Sequence, residues 1–261
     1  MTSVLISVDA GLQTITLNRP DKLNAFNPEM HKALRAAPDQ ARDERSIRAL
    51  LLTGAGRGFC SGQDLSERRV DPGAAPIDLS VSLGSYYNPL VRRLRELPKP
   101  IVCAVNGVAA GAGANIALAC DIVVAARSAR FVQSFARLGL VPDSGGTYFL
   151  PRLIGEARAF ELLITGRAIT PDEALSIGLV SAIFPAEEAA QKVREVAERL
   201  AVGPGLAIAN IKRAVREGIQ ESLDDGLALE AELVEELFRS QDATEGLTAF
   251  VEKRTPEFVG A

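Results

Sequence analysis

One aspartate stands where a carboxylate could transfer protons. Asp143 follows Pro142 and precedes Ser144-Gly145-Gly146, in the largely apolar run LGLVPDSGGTYFLPRLIG at residues 138–155. Burial among apolar groups raises the proton affinity of a carboxylate, and such an acid can shuttle a proton near neutral pH. The same pattern is also typical of a helix cap, because Asp before Ser-Gly-Gly suits a turn or an N-cap. From position alone, both interpretations of Asp143 stay open.

Two glycine-rich segments could supply backbone N–H donors. The segment VAAGAGANIALACD, residues 108–121, places small residues before a predicted helix. The first N–H groups of a helix have no internal partner, so they can stabilise an oxyanion, although close helix packing explains the pattern as well. The segment GRGFCSGQDL, residues 56–65, lacks the GxGxxG spacing and the P-loop Lys-Ser/Thr pair of nucleotide sites. It indicates a tight turn, or a backbone that approaches a ligand closely.

Histidine and cysteine usage restricts the chemistry further. The 261 residues include one histidine, His31, which lies on the first predicted helix, away from every motif. Metal sites commonly need several imidazoles or a thiolate cluster, so we expect no metal and a carboxylate as the acid/base. The three cysteines, Cys60, Cys103 and Cys120, form no CxxC pair. This usage predicts reduced thiols that pack in the core, and a cytoplasmic location.

Composition excludes several partner classes. Asp and Glu number 33 against 29 Lys and Arg, for a net charge of −4, which argues against a nucleic-acid partner. Hydrophobic residues make up 47% of the chain, enough for a substantial core. The Ala-rich stretch near residue 110 is interrupted by glycines, Asn115 and Asp121. It is therefore too short for a membrane span, and no membrane partner is expected.

The elements that must position these residues alternate between strands and helices. Short apolar runs predict strands at residues 4–8, 14–17, 49–53, 101–105, 121–125 and 180–184. Asn27 before Pro28, and Thr170 three residues before Glu173, predict capped helices, with further helices at residues 90–97 and 111–120. From about residue 186 onward the pattern is helical. The expected fold is an α/β core followed by a helical C-terminal part.

The three glycine-rich segments, in this order and spacing, resemble the enoyl-CoA hydratase/isomerase (crotonase) family. The resemblance begins at LNRP, residues 17–20, and ends at AFVEKR, residues 249–254. It implies a crotonase-like spiral of ββα turns that forms two stacked sheets, with a helical C-terminal region. It also implies a CoA-binding catalytic core at residues 1–200 and an oligomerisation region at residues 201–261. A homotrimer or a dimer of trimers is expected.

The resemblance implies an acyl-CoA thioester as substrate, with no cofactor. The backbone N–H groups of Gln63 and Ala112 would bind the thioester oxygen, and Asp143 matches the acid of isomerase-type members. Hydratases of the family use two glutamates, and the matching positions here hold Asn115 and Phe135, which disfavours hydration. Asn115 would orient the substrate or the carboxylate, although an asparagine on this helix could also cap or bridge.

Binding residues for CoA follow from the same match. The expected set near the adenosine part is Lys22, Ala25, Ser61, Gln63, Asp64 and Leu65. Phe250 and Lys253 match C-terminal residues that reach the ligand of a neighbouring subunit. Lys253 would pair with a CoA phosphate, or stay a solvated surface lysine. Tyr86 and Tyr87 either line an aromatic acyl pocket or pack in the core.

Within the family, several longer segments are most similar to isomerases of phenylacetate catabolism. These segments are GRGFCSGQDL, YYNPLVRRLRELPKP, VNGVAAGAGA, LGLVPDSGGT and FVEKRTPEF. Such isomerases convert a ring epoxide of phenylacetyl-CoA to an oxepin and move the double bond of 3,4-dehydroadipyl-CoA to the 2,3 position. The alternative is a Δ3–Δ2 enoyl-CoA isomerase or a hydratase-like enzyme of fatty-acid oxidation. The absence of tryptophan disfavours an aryl-CoA dehalogenase, and an intact Asp143 disfavours a non-catalytic CoA-binding protein.

Overall fold

The computed structural model describes residues 2–64 and 79–260, so the candidate residue Leu65 lies outside the described residues. The strands are β1 (Val4–Asp9), β2 (Leu12–Leu17), β3 (Ala49–Gly54), β4 (Gly58–Cys60), β5 (Ile101–Val105), β6 (Val108–Ala110), β7 (Ile122–Ala126), β8 (Arg130–Val132), β9 (Ala168–Ile169) and β10 (Ala182–Phe184). The α-helices are α1 (Pro28–Asp43), α2 (Leu79–Ser82), α3 (Asn88–Glu96), α4 (Ala112–Leu118), α5 (Gly146–Ile154), α6 (Glu156–Thr165), α7 (Pro171–Ser176), α8 (Ala186–Ala201), α9 (Gly205–Gly218), α10 (Leu223–Phe238) and α11 (Gln241–Glu252).

The strands form two sheets, and the chain passes repeatedly from one sheet to the other. The larger sheet has the order β1-β2-β3-β5-β7-β10, and the smaller has the order β4-β6-β8-β9. Three successive strand pairs, β3 with β4, β5 with β6 and β7 with β8, place one strand in each sheet before the chain enters a helix. All neighbours are parallel except β1 with β2 and β8 with β9. This arrangement confirms the predicted spiral of ββα turns.

Side chains of the larger sheet alternate between two apolar layers. Leu50 and Leu52 of β3 belong to the main core cluster, whereas Leu51 faces the opposite side. That opposite side is covered by α8, through Val193 and Ala197. Successive side chains of a strand point to opposite faces, so a continuous apolar run marks a strand buried on both sides. The run at residues 49–53 has this pattern.

The predicted helix starts at Asn27 and Thr170 are confirmed. The Asn27 side chain accepts a hydrogen bond from the Met30 N–H at 2.9 Å. The Thr170 hydroxyl accepts one from the Glu173 N–H at 3.3 Å. The predicted strand at residues 180–184 is shorter than expected and begins at Ala182. The two sheets agree with the fold that the family resemblance implied. The individual strands of the smaller sheet were not predicted from the residue pattern, because they are only two or three residues long.

A partly buried charge cluster anchors α9 to the core. The Asp121 carboxylate, just before β7, accepts a hydrogen bond from the Ile101 N–H at 2.8 Å. It also pairs with Lys212 at 2.6 Å and with Arg216, and the three side chains are only 10–19% exposed. The Lys212 ammonium donates as well to the Lys99 carbonyl at 2.6 Å. Burial lowers the pKa of Lys212, and the Asp121 charge opposes that shift.

The C-terminal helices carry many exposed apolar side chains. In α9 no residue is buried, and in α10 only Leu233 is. The exposed apolar residues of α9, α10 and α11 include Ile211, Val215, Ile219, Leu227, Val234, Phe238, Phe250 and Val251. The division of the chain at residue 200 stays a prediction. In the described ranges, no helix combines the length and the apolar character that a membrane crossing requires.

Replacing Asp121 by alanine tests the anchor. Asp121→Ala leaves two partly buried cations without their counter-charge, so we expect the free energy of unfolding to fall by about 3 kcal/mol. Urea unfolding followed by circular dichroism, at one fixed protein concentration, measures the change. As a control, Glu235→Ala removes an exposed partner of Arg239 and is expected to change stability by about 0.5 kcal/mol or less. Equal effects of the two substitutions would contradict the anchor.

Candidate active site

The backbone N–H of Gln63 is directed away from its neighbouring segment. Residues 62–64 form a short parallel bridge with Phe26: the Phe26 N–H donates to the Gly62 carbonyl at 2.7 Å, and the Asp64 N–H donates to the Phe26 carbonyl at 3.1 Å. In such a bridge, alternate residues direct their N–H groups to opposite sides. Within residues 2–64 and 79–260, the Gln63 N–H has no protein acceptor. It is therefore available to a ligand oxygen.

The second predicted donor is the first residue of α4. Gly111 is the N-cap, with φ of 52° and ψ of −125°, and no side chain caps the helix. As the first helical residue, Ala112 has no internal partner for its N–H, and the described part of the chain offers no other acceptor. Ala112 is buried. Its N–H therefore meets the first requirement of an oxyanion donor, a polar hydrogen that the protein leaves unsatisfied.

The two donor segments lie side by side. A Cβ built on Gly62 would lie 3.5 Å from the Ala112 nitrogen and 2.9 Å from the Ala110 carbonyl oxygen. Gly62 also has a φ of +90°, a conformation that other residues rarely adopt. Glycine is therefore required at position 62 for the Gln63 segment to approach α4. The structure brings together the two predicted donor segments, and the oxyanion hole itself stays a prediction.

Asp143 lies in a tight turn and does not cap a helix. The helix α5 begins at Gly146 with Gly145 as its N-cap, and no side chain caps it, so the helix-cap interpretation is wrong. Ser144 and Gly145 are both left-handed, with φ of 53° and 85°. A serine in this region is strained by about 1 kcal/mol, and such strain is common at functional sites. Asp143 is half-buried, and its Oδ1 accepts a hydrogen bond from the Ser144 hydroxyl at 2.8 Å.

Asn115 holds the Asp143 turn through the backbone. Its side chain is fully buried; its amide nitrogen donates to the Asp143 carbonyl at 2.8 Å, and its oxygen accepts from the Gln133 amide at 2.7 Å. A Cβ on Gly146 would overlap the Asn115 amide, so the second glycine after Ser144 is required for this contact. This bridging contact is one of the roles open from the sequence, and the role of Asn115 toward a substrate stays a prediction. The sequence analysis did not identify Gln133 as a site residue, because its position in a buried segment is the only signal that points to it.

Phe135 makes the region beside α4 apolar. Its side chain is 7% exposed, and its ring lies 3.6 Å from the position that a Cβ on Gly111 would take. A phenyl ring here neither holds nor activates a water molecule, and it lies beside Gly111, the residue before the donor Ala112. Exclusion of water strengthens the hydrogen bonds that such donors make to a developing negative charge.

Several predicted CoA-binding residues form one local unit. The Arg19 guanidinium pairs with the buried Asp64 carboxylate at 2.9 Å and donates to the Ala25 carbonyl at 2.6 Å. The Ser61 hydroxyl donates to the Lys22 carbonyl at 3.4 Å. Lys22 is exposed. Asp64 therefore holds the loop of residues 19–26 against the Gln63 segment, and the predicted role of Lys22 toward CoA stays a prediction.

Phe250 and Lys253 lie on a different element. They stand at the end of α11, where Lys253 is the left-handed C-cap residue with a φ of 56°. Phe250 is 83% exposed, and Lys253 is exposed as well. Their predicted role toward a neighbouring subunit stays a prediction.

A buried aromatic cluster supports Gln63 from behind. The His31 ring stacks on Phe26 and Tyr86 with centroid distances of 5.1 and 5.0 Å, and it meets Tyr87 edge to face with a centroid distance of 4.5 Å. The Tyr87 hydroxyl donates to the side-chain oxygen of Gln63. Tyr87 is buried, so core packing is its main environment. His31 is distant from the motifs in sequence, but the structure places it one side chain from Gln63.

The cysteines are unsuited to nucleophilic chemistry. All three are buried and free. Burial raises the pKa of the Cys60 thiol to about 12 and also raises that of Cys103, so neither thiol ionises near neutral pH. Across residues 2–64 and 79–260, no three His, Cys, Asp or Glu side chains are grouped so that they could hold a metal ion.

Within the described residues, the spiral of ββα turns brings two N–H groups without a protein acceptor close to the turn that carries Asp143. The chain matches the family described as enoyl-CoA hydratase/isomerase over residues 7–261, and it belongs to that family. The crotonase-like fold predicted from the sequence is thereby confirmed. The prediction of an isomerase-type enzyme is confirmed by this membership together with the relatives below.

Individual relatives match over essentially full length. The chain is 48% identical to the 1,2-epoxyphenylacetyl-CoA isomerase of Escherichia coli (strain K12), over 100% of this chain and 99% of that protein. It is 36% identical to the 2,3-dehydroadipyl-CoA hydratase of the same organism, over 100% of both chains. Among solved structures, an enoyl-CoA hydratase from Bacillus anthracis is 35% identical, with a TM-score of 0.93 over 99% of this chain and 100% of that chain.

The contact between Tyr87 and Gln63 predicts a kinetic effect. Tyr87→Phe removes the hydroxyl that holds the Gln63 side chain, so the Gln63 N–H is less well fixed, and we expect kcat to fall about 3- to 10-fold with a smaller change in KM. Steady-state kinetics on a 3-enoyl-CoA thioester measure both constants. Tyr86→Phe is the matched control, because Tyr86 stacks on the same histidine but does not bind Gln63. Equal rates for the two variants would rule out this positioning role.

Proposed function

We propose that the chain is an isomerase of acyl-CoA thioesters in phenylacetate catabolism. Its substrates would be ring 1,2-epoxyphenylacetyl-CoA, converted to oxepin-CoA, and 3,4-dehydroadipyl-CoA, whose double bond moves to the 2,3 position. The observation that carries the proposal is the Asp143 turn, which Asn115 holds beside α4. The family resemblance supports it, because Phe135 stands where it places a hydratase glutamate. The 48% identity with the isomerase of Escherichia coli supports the choice of substrate.

The double-bond shift needs one carboxylate and two N–H donors. The thioester oxygen accepts hydrogen bonds from Gln63 and Ala112, which makes the proton at carbon 2 more acidic. Asp143 takes that proton, and the electron pair of the broken C–H bond spreads to the thioester oxygen. The protonated Asp143 then returns the proton to carbon 4 while the double bond forms between carbons 2 and 3. Each N–H donor is worth about 3 kcal/mol to the developing oxyanion.

The ring-epoxide reaction uses the same groups. Conversion of the epoxide to the seven-membered oxepin adds and removes no atoms, so it needs neither water nor a cofactor. A proton relocated by Asp143 and a thioester oxygen held by two N–H groups meet its requirements. A water-excluding wall such as Phe135 suppresses competing hydrolysis of the epoxide.

A Δ3–Δ2 enoyl-CoA isomerase of fatty-acid oxidation is the second candidate. It would use the same Asp143 turn on an unfunctionalised chain, and nothing in that turn distinguishes one 3-enoyl thioester from another. Hydration is disfavoured, because neither Asn115 nor Phe135 activates water. Because some relatives are named as hydratases, hydration of an enoyl-CoA is the activity against which isomerisation must be compared.

Binding, location and assembly belong to the same proposal. CoA would lie against the loop that carries Lys22 and Ala25 and against the Ser61–Asp64 segment, with Phe250 and Lys253 contributed by a neighbouring subunit. The buried free thiols are compatible with the cytoplasm. The apolar faces of α9 to α11 suit a trimer or a dimer of trimers.

The proposed assembly predicts the molecular mass of the protein in solution. We expect sedimentation equilibrium to give three or six times the 27.7 kDa of the chain, because exposed apolar helix faces of this extent gain free energy when a second copy covers them. A monomer across the micromolar range would contradict the proposal.

Asp143→Asn tests the acid/base directly. The amide has the same shape but cannot accept the carbon-bound proton, so we expect turnover of trans-3-hexenoyl-CoA to fall at least about 100-fold. Appearance of the conjugated thioester in the ultraviolet measures turnover, and calorimetry with hexanoyl-CoA is expected to show unchanged binding. Asp172→Asn is the matched control, because Asp172 is exposed and pairs only with Arg127 among the described residues. Unchanged turnover in the Asp143 variant would refute the assignment.

Three substrates assayed side by side separate the candidates. We expect activity on epoxyphenylacetyl-CoA and on 3,4-dehydroadipyl-CoA, with little hydration of crotonyl-CoA. Activity confined to unfunctionalised 3-enoyl thioesters would favour the second candidate, and rapid hydration of crotonyl-CoA would overturn both.

A further inference from the structure

Both polar atoms of the Gln63 side chain are held by aromatic residues. The amide nitrogen donates to the Phe26 carbonyl at 3.4 Å, and the oxygen accepts a hydrogen bond from the Tyr87 hydroxyl. Phe26 also makes the two main-chain hydrogen bonds on either side of Gln63, one to the Gly62 carbonyl and one from the Asp64 N–H. The direction of the Gln63 N–H therefore depends on where Phe26 and Tyr87 lie.

The His31 ring contacts both of these aromatic residues. It stacks on the Phe26 ring with an angle of 19° between the two planes, and it meets the Tyr87 ring at 81°. The Phe26 and Tyr87 rings also contact each other, with a centroid distance of 5.6 Å and an angle of 88°. All three residues are at most 3% exposed. Three close-packed rings in mutual contact leave little room for one of them to shift alone.

The helix that carries His31 also holds the turn that carries Tyr87. The residues Leu83–Tyr87 form a π-helical turn between α2 and α3, and such turns are frequent at functional sites. Arg35 stands one helical turn after His31 on α1 and donates to the Ser85 carbonyl at 3.0 Å. The helix α1 therefore contacts the π-helical turn at two places, through the His31 ring and through the Arg35 guanidinium.

We propose that His31 is a positioning residue for the Gln63 N–H donor, and that it acts through Phe26 and Tyr87 without touching the substrate. The inference rests on the proposed isomerase function and adds a residue to its machinery. A hydrogen-bond donor stabilises a developing oxyanion only if it is already aimed at the oxygen. Without the ring that both supports of Gln63 pack against, this aim loosens, and the transition state loses more than substrate binding does.

Three substitutions at position 31 test the requirement for a ring. Stacked and edge-to-face contacts need a flat ring, which phenylalanine provides and alanine and leucine do not. With trans-3-hexenoyl-CoA, we expect His31→Ala and His31→Leu to lower kcat about 10-fold while KM changes less than about 2-fold. His31→Phe should keep at least about half of the wild-type kcat. Rates are taken per folded molecule by circular dichroism, and His31→Leu keeps the core filled if His31→Ala does not fold.

Val193→Ala is the matched control for lost packing. Val193 is buried under α8, in the apolar layer on the opposite face of the larger sheet from Phe26 and Tyr87. We expect this variant to be less stable than wild type and to keep its kcat. An equal fall in kcat for His31→Phe and His31→Leu would refute the positioning role, and so would a fall for His31→Leu no larger than that for Val193→Ala.

A double-mutant cycle tests the route of the effect. If His31 acts through Tyr87 and Gln63, part of its effect is already lost in Tyr87→Phe. We therefore expect His31→Leu to lower kcat only about 3-fold in that background. If the effects of the two substitutions simply multiply, His31 acts elsewhere and the proposal is overturned.

A binding measurement tests the same donor without turnover. Hexanoyl-CoA and its thioether analogue hexyl-CoA differ in the carbonyl oxygen that the donors would bind. We expect calorimetry to show tighter binding of hexanoyl-CoA to wild type, and His31→Leu to reduce that ratio of affinities at least about 3-fold.

The binding ratio also separates this proposal from the proposed function. An unchanged ratio in His31→Leu would refute the role of His31, while turnover by wild type would leave the isomerase function intact. If wild type isomerises no 3-enoyl thioester, the proposed function fails, and the ratio still decides for or against His31. Equal affinities of wild type for the two compounds would refute the donor itself, and the role of His31 with it.

Discussion

The structure depends on two main-chain N–H groups that have no acceptor among residues 2–64 and 79–260, inside a well-packed molecule. A buried, unpaired donor costs free energy, so a fold can keep one only where regular hydrogen bonding directs it outward. The Phe26 bridge does this for Gln63, because it satisfies the groups of residues 62 and 64 and leaves the residue between them free. The start of α4 does the same for Ala112. The two sheets then serve to bring these two places together.

Side chains around this pair are used mainly to fix backbone positions. The Asn115 side chain donates a hydrogen bond to the Asp143 backbone carbonyl, and Arg19 donates one to the Ala25 carbonyl. The Tyr87 hydroxyl donates one to the side chain of Gln63. The donors themselves are backbone N–H groups, so the hydrogen bonds that they donate do not depend on the chemistry of the side chains at Gln63 and Ala112. Under the proposed function, the chemistry would be determined by which few positions around the donors carry a carboxylate. In this chain Asp143 has one, while Asn115 and Phe135 do not.

Sequence patterns predicted most of the larger sheet, the capped helices and the segments that form the site. Those features depend on local periodicity and on the first few residues of a helix, and a short segment of sequence is enough to recognise both. The second sheet was expected only from the family resemblance, and its strands were not predicted from the residue pattern, since two or three residues show no period. The link from Gln133 through Asn115 to Asp143, and the place of His31 behind Gln63, join positions far apart in the chain. Such contacts arise when the spiral turns pack against one another, and this packing cannot be inferred from any single segment of the sequence.

The helix α9 has two tasks at once. Lys212 and Arg216 fasten it to Asp121 of the core. The same helix exposes the apolar side chains of Leu206, Ile211 and Val215. A contact that covered these side chains in an assembly would therefore be held in place by a charge cluster that lies inside the chain. Mutation of Asp121 would then weaken the proposed assembly as well as the fold of the single chain.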